Sequence, residues 1–209
     1  MSSVSARTTD ADRIEAAGVV GAGGAGFPTH IKARGAADVV IANGVECEPV
    51  LAKDKAIMRA RPDDVAQGLA VMMGCVGASR GIIAVKRKNS REVDAMKAAA
   101  RAYANVTVAE VGDYYPAGDE HVLVYELIGR VVPAGGIPLR AGAVVSNVET
   151  LLNVANAVRD GAPVTHKYVT VAGEVKRPGT FRAPVGASLA QLIEAAGGVR
   201  ESLGGRFEV

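Results

Sequence analysis

The chain has 209 residues, a net charge of +2, 49% hydrophobic and 22% charged residues, and only 4% aromatics. That is enough for one full domain, or one domain plus a small one, and the absence of a basic stripe interleaved with aromatics argues against nucleic-acid binding. Two cysteines, Cys47 and Cys75, with no CxxC pair, exclude a thiolate-only zinc or iron–sulfur site and fit a reducing compartment. No apolar run reaches the roughly 18 residues a membrane span needs. The first residues lack the apolar core of a secretory signal, so the default location is cytoplasmic.

In chain order, residues 9–17 read as a short helix with Thr9 or Asp10 as N-cap and Gly18 as its stop. A glycine loop follows and leads into a short helical turn. Val39-Val40-Ile41 reads as a buried strand ending at a polar turn. Residues 51–73 carry two helical stretches interrupted at Pro62, the second with Asp63 and Asp64 where a helix dipole favours them. GIIAVK (81–86) is a second buried strand. Residues 90–103 form an amphipathic helix with Ser90 as cap. A third strand (105–112), a helix (120–129), a turn-rich stretch with short extended pieces, and a helix at 149–161 closed by Gly161 complete the first part. The run Lys86-Arg87-Lys88 reads as a solvated strand end.

Alternating strands and helices predict a Rossmann-like α/β domain with a mainly parallel sheet over residues 1–163. After Pro163 the pattern changes. Period-two alternation around Arg177-Pro178-Gly179 predicts a β-hairpin, and a helix at 188–198 capped by Ser188 follows. Hairpin then helix is the opening of a β-grasp unit over 164–209. With only Arg206 to Val209 left for a further strand, that unit reads as truncated, at a proteolytic boundary.

Gly21, Gly23 and Gly26 fit G-x-G-x-x-G, and Glu46 lies 20 residues after Gly26, where a dinucleotide-binding acid would sit. A Rossmann loop follows a strand and opens a helix. Here helical residues precede it, and Pro28 biases Phe27 to an extended conformation. The loop therefore predicts phosphate binding through backbone N–H groups in a different fold, against the alternative of an unliganded glycine turn. His30, His121 and His166 lack ligand spacing, so no metal site is expected.

Five segments occur in order: GAGGAGFPTHIK (21–32), IANGVECEPVLAKDKAIM (41–58), YYPAGDEHVL (114–123), VPAGGIPL (132–139) and SNVETLLNVANAV (146–158). Together they resemble the flavin domain shared by the flavin subunit of respiratory complex I, the C subunit of Rnf complexes and the cobalamin reductase of propanediol-utilisation microcompartments. VTVAGEVKRPGTFRAPVG resembles the β-grasp segment that follows it in that family, so the resemblance covers about residues 18–205. ECEP and YPAGDE resemble the Rnf and microcompartment branches more than complex I, and the short stretch before the glycine loop favours the microcompartment branch.

The resemblance implies an FMN site fed by NADH, with iron–sulfur centres in a C-terminal region that this sequence does not contain. It places the N–H groups of Gly21, Gly23 and Gly24 at the FMN phosphate or ribityl chain, and Lys32 beside the anionic cofactor unless it is a solvated surface lysine. Asn43 would hydrogen-bond the flavin. Glu46 and Glu48 follow at a strand's carboxyl end, where α/β ligands sit. Val45 replaces an aspartate of complex I, and Cys47 reads as structural. Tyr115, Gly118, Asp119 and Glu120 match the stretch beside flavin and NADH, with Glu120 on a dinucleotide ribose, although Asp119 also suits a helix N-cap. Phe27 is either a stacking surface for NADH or a core aromatic. Asn147 and Thr150 would hydrogen-bond FMN, though Glu149 and Thr150 also suit a first helical turn.

The resulting expectation is an FMN-dependent, NADH-oxidising flavoprotein with no catalytic side chain. Electrons would pass through the missing centres to a corrinoid or an acceptor protein. In that branch the protein would reside in the cytoplasm, inside a microcompartment. A peripheral subunit of an Rnf-like membrane complex and a scaffold with an empty flavin site are the alternatives. The oligomeric state stays open, a homo-oligomer included.

Overall fold

A computed structural model describes residues 8–200. Helix α1 (Asp10–Ala16) is opened by Thr9, whose side chain accepts from the Asp12 N–H while Asp12 returns a bond to the Thr9 backbone. This reciprocal pair satisfies two of the donors a helix start leaves free. Gly18, at φ +68°, then turns the chain away.

The glycine loop runs into α2 (Thr29–Ala33), and β1 (Val39–Gly44) follows. Pro62 starts a helix rather than merely interrupting one: α3 (Lys53–Ala60) ends, and Pro62 takes the first turn of α4 (Pro62–Val76), where its missing N–H costs nothing. Then come β2 (Arg80–Lys86), α5 (Ser90–Ala100), β3 (Val106–Val111), α6 (Glu120–Ile128), a 3₁₀ turn at Pro138–Ala141, β4 (Ala143–Asn147) and α7 (Val148–Asp160). Ser90 is not the cap expected for α5. It is already helical, and Asn89 precedes it without a side-chain cap bond.

β1 to β4 form one parallel sheet in the order β3-β2-β1-β4. Its central strands are buried on both faces, as parallel strands flanked by helices must be. Val39, Ile41, Ile82, Ala84 and Val145 pack toward Leu123 and Val124 of α6. Val40, Ala42, Ile83, Val85 and Val144 face the opposite layer, which includes Leu69, Met72, Val93, Met96, Leu151 and Leu152. From β1 the chain builds outward through β2 to β3 and then returns to lay β4 on the other side of β1. That reversal leaves a crevice at the carboxyl ends of β1 and β4, the place where open α/β sheets bind ligands. β4 lies within the stretch read from sequence as turns with short extended pieces.

The layer opposite α6 is closed where α4 crosses α7. A Cβ built on Gly68 would lie 1.9 Å from the Leu151 carbonyl oxygen, so only glycine permits this approach.

β5 (His166–Val171) and β6 (Gly179–Pro184) pair antiparallel, as the alternation predicts, with residues 172–178 connecting them. α8 (Leu189–Ala195) opens with a capping box between Ser188 and Gln191. It ends earlier than residue 198 because Gly197 and Gly198 take φ +84° and +79°. The strand expected at 206–209 lies outside the described residues. Among the described residues no helix is long and apolar enough to cross a membrane.

Gly68→Ala is expected to destabilise the protein by about 3 kcal/mol, because the overpacked α4–α7 contact outweighs the gain in helix propensity. Urea denaturation should show the loss as a lowered midpoint; an unchanged or raised midpoint would contradict this account of the contact.

Candidate functional site

The crevice at the sheet's switch point holds a cavity of about 280 Å³. Its floor follows from strand register. Asn43 at the end of β1 and Asn147 at the end of β4 are paired neighbours across the parallel ladder. Gly21, Gly23, Ala25 and Phe27 of the glycine loop form one wall, Thr29 and Lys32 of α2 another. Gly118, Asp119 and Glu120 at the start of α6, with Ser146 and Thr150, complete the lining. Segments far apart in the chain therefore meet here.

The loop is held by its own backbone. Val20 and Pro28 form an antiparallel bridge, the Gly21 N–H donates to the Phe27 carbonyl at 2.8 Å, and the Ala22 N–H donates to Thr150 Oγ1 at 2.9 Å. The Gly21 N–H is therefore not a free donor, contrary to expectation, because the bridge that closes the loop uses it. Gly24, at φ +119°, does not line the cavity either. Gly21 and Gly23 do, and Gly23 lies against the Asn147 side chain without crowding.

Lys32 reaches across the cavity. Its Nζ donates to the Val145 carbonyl at 2.7 Å and pairs with Glu120 Oε1 at 3.4 Å. It also lies 5.7 Å from the centroid of Phe27, within cation–π range. Phe27 lines the cavity and belongs to neither core cluster.

Asn43 Nδ2 donates to the Gly118 carbonyl at 2.9 Å and its Oδ1 accepts from the Val45 N–H at 3.0 Å, leaving one N–H for another partner. Gly118 is required by packing, since a Cβ there would lie 2.2 Å from the Val45 carbonyl. Asp119 caps α6 by accepting from His121 and Val122, and it lines the cavity as well. Asn147 caps α7 through the Glu149 N–H and donates to buried Asp54 at 2.8 Å.

Two expected residues lie elsewhere. Glu46 and Tyr115 line a neighbouring cavity with Lys86 and Asp113. Tyr115 is largely exposed, and Glu46 turns toward Asp54 as the chain leaves β1. Burial, then the negative Asp54 beside it, pushes the Glu46 carboxyl up to about 7. A set the sequence reading did not single out lies behind the cavity wall. Glu149, almost fully buried, pairs with Lys53 at 3.2 Å and Lys167 at 3.3 Å and accepts from the Tyr168 N–H. Burial works against the Lys53 charge, but Asp54 and Glu149 outweigh it and hold its pKa above the ordinary value. Ser146 is a further residue that sequence reasoning misses, because no local pattern marks a serine inside an apolar strand.

The lining suits a flat, polar-edged anionic cofactor. Ser146 Oγ is buried with no hydrogen-bond partner among the described residues, and an unsatisfied buried hydroxyl in a cavity wall calls for a ligand atom. Lys32, one N–H of Asn43 and the amino end of α7 offer donors and positive potential on one side, while Asp119 and Glu120 put carboxylates at the start of α6, with Glu120 pairing with Lys32. Residues 14–156 match the family model described as Nuo51 FMN-binding domain.

The chain belongs to that family.

Residues 168–206 match the SLBB domain. This FMN-binding domain chain is 41% identical over 187 residues to the cobalamin reductase PduS of Citrobacter freundii, covering 90% of this chain and 41% of that protein. It is 35% identical over 198 residues to the C subunit of the Na(+)-translocating ferredoxin:NAD(+) oxidoreductase complex of Acetobacterium woodii, covering 90% and 45%. Among solved structures, a chain of the NAD+-reducing [NiFe]-hydrogenase in its H2-reduced state superposes with a TM-score of 0.77 at 28% identity, over 90% of this chain and 38% of that one. The chain thus spans about two fifths of the length of these relatives.

The Glu46 carboxyl generates a pH prediction. Its folded pKa is raised, so the folded state holds the proton more tightly than the unfolded one. Stability attributable to this group therefore falls as pH rises from about 4.5 to about 7 and stays low above. Glu46→Gln should raise stability by about 1 kcal/mol at pH 8, a figure discounted for partial solvation, and by much less at pH 5. Thermal melts at the two pH values check this, and equal shifts at both would contradict it.

Proposed function

We propose that this chain is the FMN-binding, NADH-oxidising module of an electron-transfer flavoprotein of the cobalamin-reductase type. On this reading residues 1–163 are the flavin unit and 164–209 a β-grasp segment. The observation that carries the reading is the cavity at the β1/β4 switch point, where the glycine loop, Lys32, Asn43 and the unpartnered Ser146 hydroxyl converge.

Bound FMN would supply hydride acceptance from a reduced nicotinamide and onward release of single electrons. The chain's own residues bind and orient. Gly23, with the amino end of α7 beside it, faces the phosphate or ribityl chain, where the missing Cβ lets the backbone approach closely. Lys32, fixed by the Val145 carbonyl, supplies positive charge at a set position. Ser146, Asn43, Asn147 and Thr150 meet the polar edge of the cofactor. Phe27 offers an aromatic face to the dinucleotide, and Glu120 and Asp119 offer carboxylates to ribose hydroxyls. None of these residues is assigned a role as acid or base, since the chemistry would be supplied by the bound cofactor. Gly24, Glu46 and Tyr115 are not assigned to the cofactor on this reading.

The likeness to PduS supports a corrinoid as the final acceptor and a cytoplasmic, microcompartment setting. Electrons would reach it through iron–sulfur centres in a C-terminal region outside this sequence.

An FMN titration followed by fluorescence quenching, then NADH under anaerobic conditions, tests the proposal. Saturable quenching and bleaching of the flavin absorbance are expected. Binding without bleaching would remove NADH as donor, and no binding would leave a scaffold. Lys32→Ala should weaken FMN binding by about tenfold, the cost of one charge-assisted contact.

A further inference from the structure

The hairpin meets the α/β unit across an unusual surface. Alternation along β5 and β6, with Tyr168 opposite Arg182 and His166 opposite Pro184, puts His166, Tyr168, Thr170, Thr180 and Arg182 on one face. That face is turned toward the α/β unit, since Thr170 Oγ1 accepts from the Ala52 N–H at 3.1 Å. A hairpin face packed on a domain is ordinarily apolar. This one is polar and cationic, and it borders a cavity of about 290 Å³ against α7, the 162–165 segment and Arg61 at the α3–α4 corner.

The other side of that cavity contributes Arg61, Asn153 and Asn156, and among the described residues no carboxylate lines it. Arg61 is tied to Asp64 by its Nε at 2.5 Å and approaches Asn156 Oδ1 at 3.5 Å. Asp64 also binds Arg159, which in turn pairs with Asp160. Asp64 and Asp160 pair with Arg61 and Arg159, so Arg182, which is exposed, is left as the uncompensated positive charge at the cavity rim among the described residues. Arg182 makes no ion pair or hydrogen bond among the described residues. Asn153 Nδ2 is buried with no acceptor among the described residues. An orphaned buried donor costs about 1–3 kcal/mol, and it stands in the same cavity as the unpaired guanidinium.

We propose that this junction cavity is a second binding site, for a small ligand carrying a phosphomonoester group, held by Arg182, Arg61 and Asn153 with Tyr168 and His166 at its wall. Two guanidiniums and an amide present more donors than one carboxylate can accept, whereas a phosphate has three terminal oxygens for them. The cavity is at the small end for ligand sites, which fits a compact phosphate ester rather than a dinucleotide. Its lining comes from both units, so a bound anion bridges the hairpin to Arg61 and α7 and stabilises their junction by linkage. The site shares no lining residue with the flavin cavity and does not depend on FMN binding.

Inorganic phosphate is the probe, titrated against chloride at matched ionic strength into the ¹⁵N-labelled full chain. Saturable shifts are expected at the Tyr168 amide and the Asn153 side-chain amide, with a rise in melting temperature. Arg182→Gln should weaken this response about tenfold or more while leaving FMN affinity unchanged. Asn153→Ala should weaken it by less. Shifts confined to the glycine loop, an equal response to chloride, or a response that survives Arg182→Gln would each overturn the proposal.

Discussion

One buried carboxylate organises this molecule. Glu149 sits in the first turn of α7, almost fully out of water, where an unpaired charge is too costly to keep. It is balanced by Lys53 from α3 and Lys167 from β5, and its second role is to accept the Tyr168 N–H. α3 and β5 are thereby both tied to the second residue of α7. The same Lys53 pairs with Asp54, and Asp54 receives the Asn147 amide. The cavity wall and the hairpin are braced by one ionic cluster. Low dielectric strengthens each of its bonds and raises the cost of leaving any member unpaired.

The glycine loop shows the same division between holding and binding. Its outer donors close it: Gly21 onto Phe27, Ala22 onto Thr150. What remains for a ligand is its inner edge at Gly23 and Ala25. A loop anchored this way is ordered before any ligand arrives, which lowers the entropic cost of association. The loop precedes β1 and leads into α2, so it reaches the switch point from outside the sheet. A Rossmann loop reaches it from a strand end.

Sheet and hairpin meet their neighbours differently. The parallel sheet is apolar on both faces and owes its stability to burial. The hairpin turns threonines, a tyrosine, a histidine and an arginine toward the α/β unit. Such a polar junction is specific in geometry but leaves groups unsatisfied, and Asn153 is one. An unsatisfied group also marks the switch-point cavity, at Ser146.

Much of this was legible in the sequence, because it depends on neighbours a few residues apart. An N-cap at Thr9 or Asp10, of which Thr9 is the one used, the apolar runs of β1 and β2, Asp119 before α6, Ser188 before α8 and the alternation of the hairpin are all local signals. Five ordered motifs carried the family, and with it the placing of Phe27, Lys32, Asn43, Gly118, Asp119, Glu120, Asn147 and Thr150 around one cavity. Tertiary structure alone decided the rest. Asn43 stands beside Asn147 only because the chain reverses its direction of strand addition after β3. Glu46 faces Asp54 and the adjoining cavity, and Gly21 gives its N–H to the loop. Lys53, Glu149 and Lys167 meet from three elements. Side-chain direction at a strand end and the partner of a buried charge are set by whatever packs across from them, and no periodicity within the chain encodes that neighbour.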